Sequence, residues 1–320
     1  MTPSTIAPMK AVAGLLPPDD GRWAYEIKWD GMRVVAEIDE DGLRLRSPRG
    51  ADVMATFPEL AGLVDATGGR PATIDGEVVA LDPDGRPSFA LLAERMHVSD
   101  PTVALARAAT VPVTFLAFDL LSFDGHEAWR LPYLERRRLL EEVMEPGDHW
   151  QVPAHRIGGG PELLAAAAER GLEGVVAKRI DAAYEPGRRS HTWRKIKVRH
   201  RQEFVVGGWT DGTGARATKL GALMLGCHRA GRLCWTGNVG TGFRDAELTR
   251  LANLLAPLGR DTALFDPAPT GVAARHAHWV EPELVVEVEF AEWTPEGRLR
   301  HPAYLGQRTD KASSDVTCDP

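Results

Sequence analysis

Apolar and polar positions alternate with a period of two in several separate segments of the first 200 residues. Such alternation predicts half-buried strands. Strands are expected at Trp23–Trp29 and Met32–Ile38, and an Asp39-Glu40-Asp41-Gly42 turn leads into another at Leu43–Arg46. Further strand patterns fall at Thr73–Leu81, Val113–Leu121, Gly174–Lys178 and Thr192–Val198. Helical periodicity appears between them, at Tyr133–Met144 and at Pro161–Arg170, which opens on proline and stops at Gly171. After about Arg201 the texture changes to short strands at Glu203–Trp209, Ala222–His228, Leu233–Val239 and Leu284–Phe290. Gly-rich turns separate them and one helix, Asp245–Leu258, interrupts them. That mixture suits a small β-barrel of the OB type. The pattern therefore predicts an α+β chain: residues 1–200 as mixed sheets with flanking helices, residues 201–320 as the barrel, and a joint near Val198–Gln202.

Composition narrows the class. A chain of 320 residues with 43% hydrophobic and 26% charged residues is ordinary for a globular protein of two domains. No apolar run approaches a membrane span, and the N-terminus lacks a secretory pattern. The three cysteines, Cys227, Cys234 and Cys318, predict neither a disulfide framework nor a zinc site, and a reducing cytoplasm is the expectation. The net charge of −7 argues against nucleic acid, but its distribution does not. Residues 170–220 carry 12 Lys+Arg against 5 Asp+Glu, so an acidic chain contains a local basic stretch suited to phosphates.

The most informative string is Glu26-Ile27-Lys28-Trp29-Asp30-Gly31-Met32-Arg33. On a strand Glu26, Lys28 and Asp30 share one face, with Ile27 and Trp29 directed to the core. Gly31 allows a turn that brings Arg33 back over the same site. A lysine amine attacks phosphorus only when unprotonated, and at pH 7 reaching that form costs roughly 4.6 kcal/mol from an ordinary pKa. Cations gathered around Lys28 would lower that cost. Candidates follow in order: Asp75-Gly76-Glu77, Phe118-Asp119-Leu120-Leu121, Glu173-Gly174-Val175-Val176-Ala177-Lys178-Arg179, Trp193-Arg194-Lys195-Ile196-Lys197 and Arg308-Thr309-Asp310-Lys311.

Taken together, K-x-D-G-x-R, D-G-E, F-D-L-L, E-G-V-V-A-K-R, W-x-K-x-K and R-x-D-K resemble the ATP-dependent DNA ligases of the covalent nucleotidyltransferase superfamily, and the bacterial end-joining ligases in particular. The resemblance implies an adenylation domain followed by an OB-fold domain. It implies that Lys28 forms a phosphoramidate with AMP, that Glu26 lies where the family contacts adenine, and that Phe118 stacks on the base. By the same likeness Arg33 and Glu77 hold the ribose and neighbouring phosphate, and Glu173, with Glu77, places a divalent metal, Mg²⁺ or Mn²⁺. Lys178, Lys195 and Lys197 would neutralise the α-phosphate; Arg308, Asp310 and Lys311 would orient the leaving pyrophosphate. The family's Ser-Arg-x-Gly string is here Ser47-Pro48-Arg49-Gly50, so either Arg49 or Arg46 fills that role. The implied partners are nicked duplex DNA, gripped with little sequence preference, and a Ku-like end-binding protein. A monomer in the bacterial cytoplasm, at the nucleoid, is the expectation. An RNA ligase or RNA-capping nucleotidyltransferase uses the same lysine chemistry and stands as the alternative.

Overall fold

The computed structural model describes residues 6–318 apart from 213, 215, 216, 218 and 295. Contacts divide it into two units, Met1–Val198 and Arg199–Pro320.

The first unit is built on two sheets. One runs in the order Lys10–Ala13, Arg189–Lys197, Gly174–Arg179, Trp23–Ile27 and Arg156–Ile157. The other runs Gly42–Arg46, Met32–Asp39, Ala72–Ala80, Val113–Phe123 and His126–Glu127. A helix at Gly160–Glu169 covers the outer face of the first sheet through Leu163, Leu164 and Ala167. The outer face of the second packs against a 3-10 segment at Pro58–Thr67 and helices at Phe89–Ala93 and Tyr133–Val143. Between the inner faces lies a small core of Met9, Val35, Leu121, Tyr184 and Trp193.

Sequence periodicity misses the short helices at Phe89–Ala93 and Pro101–Thr110. Their signal is in their caps: Ser88 accepts from Leu91 N–H, and Asp100 from Thr102 and Val103 N–H. The Trp23–Trp29 expectation is too long by two residues, because the strand ends at Ile27. Residues 28–31 form the crossover from the first sheet to the second. Side-chain alternation stops there, and Trp29 goes to a cavity wall rather than to the core.

The second unit is an antiparallel barrel-like sheet. Leu220–Arg229 lies between Arg232–Val239 and His200–Asp211. The long His200–Asp211 strand pairs along its first half with Val285–Phe290 and near its end with Ala277–Val280. Ala303–Arg308 pairs beyond Val285–Phe290, and the Asp245–Leu255 helix buries Leu248, Leu251 and Leu255 in the common core. One disulfide forms that the spacing of the three cysteines does not predict: Cys227 and Cys318 are bonded across 91 residues. The C-terminal tail causes this by pairing beside Cys227, with His228 N–H donating to the Val316 carbonyl and Cys318 N–H to the His228 carbonyl. Spacing along the chain carries no trace of that approach.

Candidate active site

Strand register assembles the site. In the first sheet Val176 sits opposite Glu26 on one side and Lys195 on the other. Lys178, two residues on, sits between Ala24 and Trp193. Alternation therefore turns Glu26, Val176, Lys178, Trp193 and Lys195 to one face, and all five line a cavity of about 320 Å³. The second sheet contributes Arg33 and Glu77, a directly opposed pair, and Phe118. Phe118 is the extra residue of a β-bulge: Asp75 pairs with Asp119 and Gly76 with Ala117, leaving Phe118 unpaired between them. The bulge aims its ring into the cavity, which no sequence period reveals.

Lys28 enters this cavity from the crossover, and two glycines permit the approach. At Gly31 the backbone is not left-handed, so the need is for space, not for the turn expected from sequence. A Cβ there would lie 2.3 Å from the Val78 carbonyl oxygen. Gly174 has φ +146°, and a Cβ would lie 2.1 Å from the Ile196 carbonyl oxygen. Its own carbonyl accepts the Lys28 backbone N–H at 2.9 Å. Glu173, immediately before it, places one carboxylate oxygen on Lys28 Nζ and the other 2.7 Å from Lys197 Nζ. Burial raises the Glu173 pKa, but the two lysines outweigh it and leave it below the usual range.

Of the cations expected around Lys28, Lys178 and Lys197 are each held by a carboxylate. Lys178, 1% exposed, is neutralised by Glu26 at 2.8 Å. It also donates to the Phe118 carbonyl at 3.2 Å and lies 4.4 and 4.3 Å from the Phe118 and Trp193 ring centres. Burial is the chief cause pulling its pKa down, with Glu26 and Asp119 opposing. Glu26 lines the cavity, and its carboxylate accepts from Tyr133 and Lys178 and has Arg137 at 3.9 Å. Its burial raises its pKa and the cations more than reverse this. Lys195 lines the cavity, whereas Lys197 lies outside it and reaches Lys28 only through Glu173.

Arg33 is held by both Asp75 oxygens, at 2.9 and 2.5 Å, and lies 5.2 Å from the Phe118 ring centre. Glu77 is pushed up to about 8, chiefly by burial, with Arg33 and Lys28 opposing. A carboxyl whose pKa is raised in this way is a poorer cation ligand than an ordinary glutamate. Glu173 has both oxygens on lysines. Among the described residues no three His, Cys, Asp or Glu groups gather as a metal cage. The two carboxylates expected to hold a metal therefore do not fit a resident ion in this arrangement. Arg46 is tied to Glu37 at 3.4 Å, while Arg49 stands exposed in the turn after it. Arg308, Asp310 and Lys311 belong to the second unit: Arg308 bonds Glu203 at 2.9 Å and Asp310 at 2.8 Å, and Lys311 bonds Glu203 at 3.3 Å. Sequence reasoning missed Tyr133, Arg137 and Tyr184, because nothing in their local spacing differs from an ordinary core position.

Residues 7–197 match the family described as ATP dependent DNA ligase domain, and residues 216–311 match ATP dependent DNA ligase C terminal region. The multifunctional non-homologous end joining protein LigD of Mycolicibacterium smegmatis is 39% identical over 98% of this chain and 40% of its own length. The counterpart from Mycobacterium tuberculosis is 40% identical over 97% of this chain and 39% of its own length. The chain thus spans about 40% of the length of these LigD relatives. The crystal structure of the ligase domain from M. tuberculosis LigD covers 98% of both chains at 38% identity with a TM-score of 0.55. A mycobacterial DNA ligase D complexed with ATP matches to the same extent. Motif order, the lysine-centred cavity and both domain matches converge, and the chain belongs to the ATP-dependent DNA ligase family.

Proposed function

We propose that this chain seals nicks in duplex DNA, joining a 5′-phosphate to an adjacent 3′-hydroxyl through an AMP adduct on Lys28. The observation that carries the reading is the cavity in which Lys28, Arg33, Glu77, Phe118, Lys178 and Lys195 converge from two sheets. Lys28 Nζ attacks the α-phosphorus of ATP and pyrophosphate leaves. AMP then passes to the 5′-phosphate, the 3′-hydroxyl attacks that phosphate, and AMP departs. Charge spreads over phosphate oxygens at each step, so positioned cations do most of the work. Before attack, Lys28 must leave Glu173; the triphosphate supplies the competing anion, and Lys197 retains the carboxylate. Phe118 offers a face to the base, and Glu77 with Arg33 can hydrogen-bond the sugar and phosphate.

Mg²⁺ or Mn²⁺ would arrive with the phosphates, which supply the oxygens that such ions prefer; no step is assigned to it. Arg308, Asp310 and Lys311 would act on the departing pyrophosphate, and Arg49, being exposed where Arg46 is tied to Glu37, is the better candidate for the DNA 5′-phosphate. The end-joining names of the relatives support a Ku-like partner at broken ends. We assign a monomer acting at the cytoplasmic nucleoid, where its DNA substrate lies.

The test is sealing of a nicked duplex with ATP and magnesium, beside Lys28→Ala. Sealing and a labelled AMP adduct with the native chain, and neither with the variant, is the expected result. An adduct without DNA sealing, but with sealing of nicked RNA, would refute the substrate; no adduct with ATP or GTP would refute the chemistry.

A further inference from the structure

One buried chain of hydrogen bonds runs behind the cavity and meets it only at Arg33. The Tyr184 hydroxyl, 1% exposed with its residue, donates to Asp75 Oδ2 at 2.6 Å and accepts the Met9 backbone N–H at 2.7 Å. Asp75, fully buried, carries the Arg33 guanidinium on both oxygens. Of these groups only Arg33 lines the cavity. Tyr184 also packs edge-on to Trp193, a cavity residue, at 5.5 Å between ring centres. Met9 leads directly into the Lys10–Ala13 strand, whose Lys10 and Ala11 form another part of the wall. A single hydroxyl thus joins the N-terminal strand to the arginine across the inner core.

We propose that Tyr184 is a positioning residue for the nucleotide: it fixes the Asp75 carboxylate, which fixes Arg33. The inference rests on the reading that the cavity takes ATP. An arginine side chain has many rotamers, and freezing one before the ligand arrives removes an ordering cost from binding. Asp75 Oδ2 receives both Tyr184 and Arg33, and the Tyr184 hydroxyl also accepts from Arg33 Nη2 at 3.4 Å, so losing the hydroxyl frees the carboxylate to rotate and removes a direct hold on Arg33. The effect belongs to binding, because neither Tyr184 nor Asp75 reaches the cavity where Lys28 reacts.

The experiment is single-turnover AMP transfer to Lys28 in the full chain, measured against ATP concentration, for the native protein, Tyr184→Phe, Arg33→Ala and the double variant. Tyr184→Phe should raise half-saturating ATP about tenfold, equivalent to about 1.4 kcal/mol, with the limiting rate changed less than threefold. In the Arg33→Ala background it should change nothing further, since the two act as one unit. Unchanged half-saturation, or the same factor in both backgrounds, overturns the proposal. A fall in limiting rate alone, matching a loss of folded protein, does the same. If Tyr184→Phe does not fold, Asp75→Asn tests the same link, with the same rise expected and an unchanged half-saturation again overturning it. No adduct on the native chain would instead overturn the reading of the cavity itself.

Discussion

Replacing Glu26 by glutamine removes a charge and little volume, and its consequences can be worked out from the Lys178 environment. The two groups are 2.8 Å apart, with Glu26 5% and Lys178 1% exposed. At an effective dielectric of about 20 their attraction is about 6 kcal/mol before desolvation is counted. Measured losses from breaking such buried pairs run about 3–5 kcal/mol, because the remaining charge stays buried. Here two cations remain, since Arg137 also faces Glu26 at 3.9 Å. The variant amine has one escape, which is to lose its proton. Burial already depresses the Lys178 pKa in the native fold and Glu26 is the largest influence opposing that. Without Glu26 it falls further below the unfolded value of about 10.4. Between the folded and unfolded pKa the unfolded chain binds more protons, so variant stability rises with pH. The deficit should be about 3–5 kcal/mol at pH 6 and should shrink steadily towards pH 9.5. Hydrogen exchange of the Gly174–Arg179 amides in urea reads the first unit alone. A deficit under about 1 kcal/mol at pH 6, or one that is constant or grows with pH, would refute the reasoning. The double variant Glu26→Met/Lys178→Met should be less damaged than either single change, because it leaves no uncompensated charge.

Two further outcomes follow from the geometry. Gly31→Ala puts a methyl 2.3 Å from the Val78 carbonyl oxygen; the crossover must shift, costing about 1–3 kcal/mol of stability but roughly 100-fold in the rate of Lys28 adduct formation, read by intact mass. Cys227→Ser with Cys318→Ser opens a loop of 91 residues and should lower second-unit stability by about 2–4 kcal/mol. Native protein in strong reductant should melt with the variant, and Cys234→Ser should melt with the native protein; a variant melting with the oxidised native chain would refute it.

In the first sheet alternation predicts strands at Gly174–Lys178 and Thr192–Val198 and puts Lys195 and Lys197 on one face, because a pleated strand fixes which side chains share a face; the strands that form are Gly174–Arg179 and Arg189–Lys197. The order of the charged motifs likewise carries the resemblance on which Lys28 is proposed as the nucleophile, with Glu173, Lys178, Lys195 and Lys197 around it. What those charges do to one another is a different matter. Glu26 and Lys178 are 152 positions apart in sequence, and only the pairing of Trp23–Ile27 with Gly174–Arg179 makes them an ion pair. Phe118 faces the cavity because of a bulge whose existence depends on the partner strand. Tyr184 and Asp75 meet between two sheets, and Cys318 reaches Cys227 only when the tail joins the barrel. Local pattern reports one chain's own geometry; ion pairing, bulges and disulfides are properties of two segments in contact, so they are decided when the sheets close.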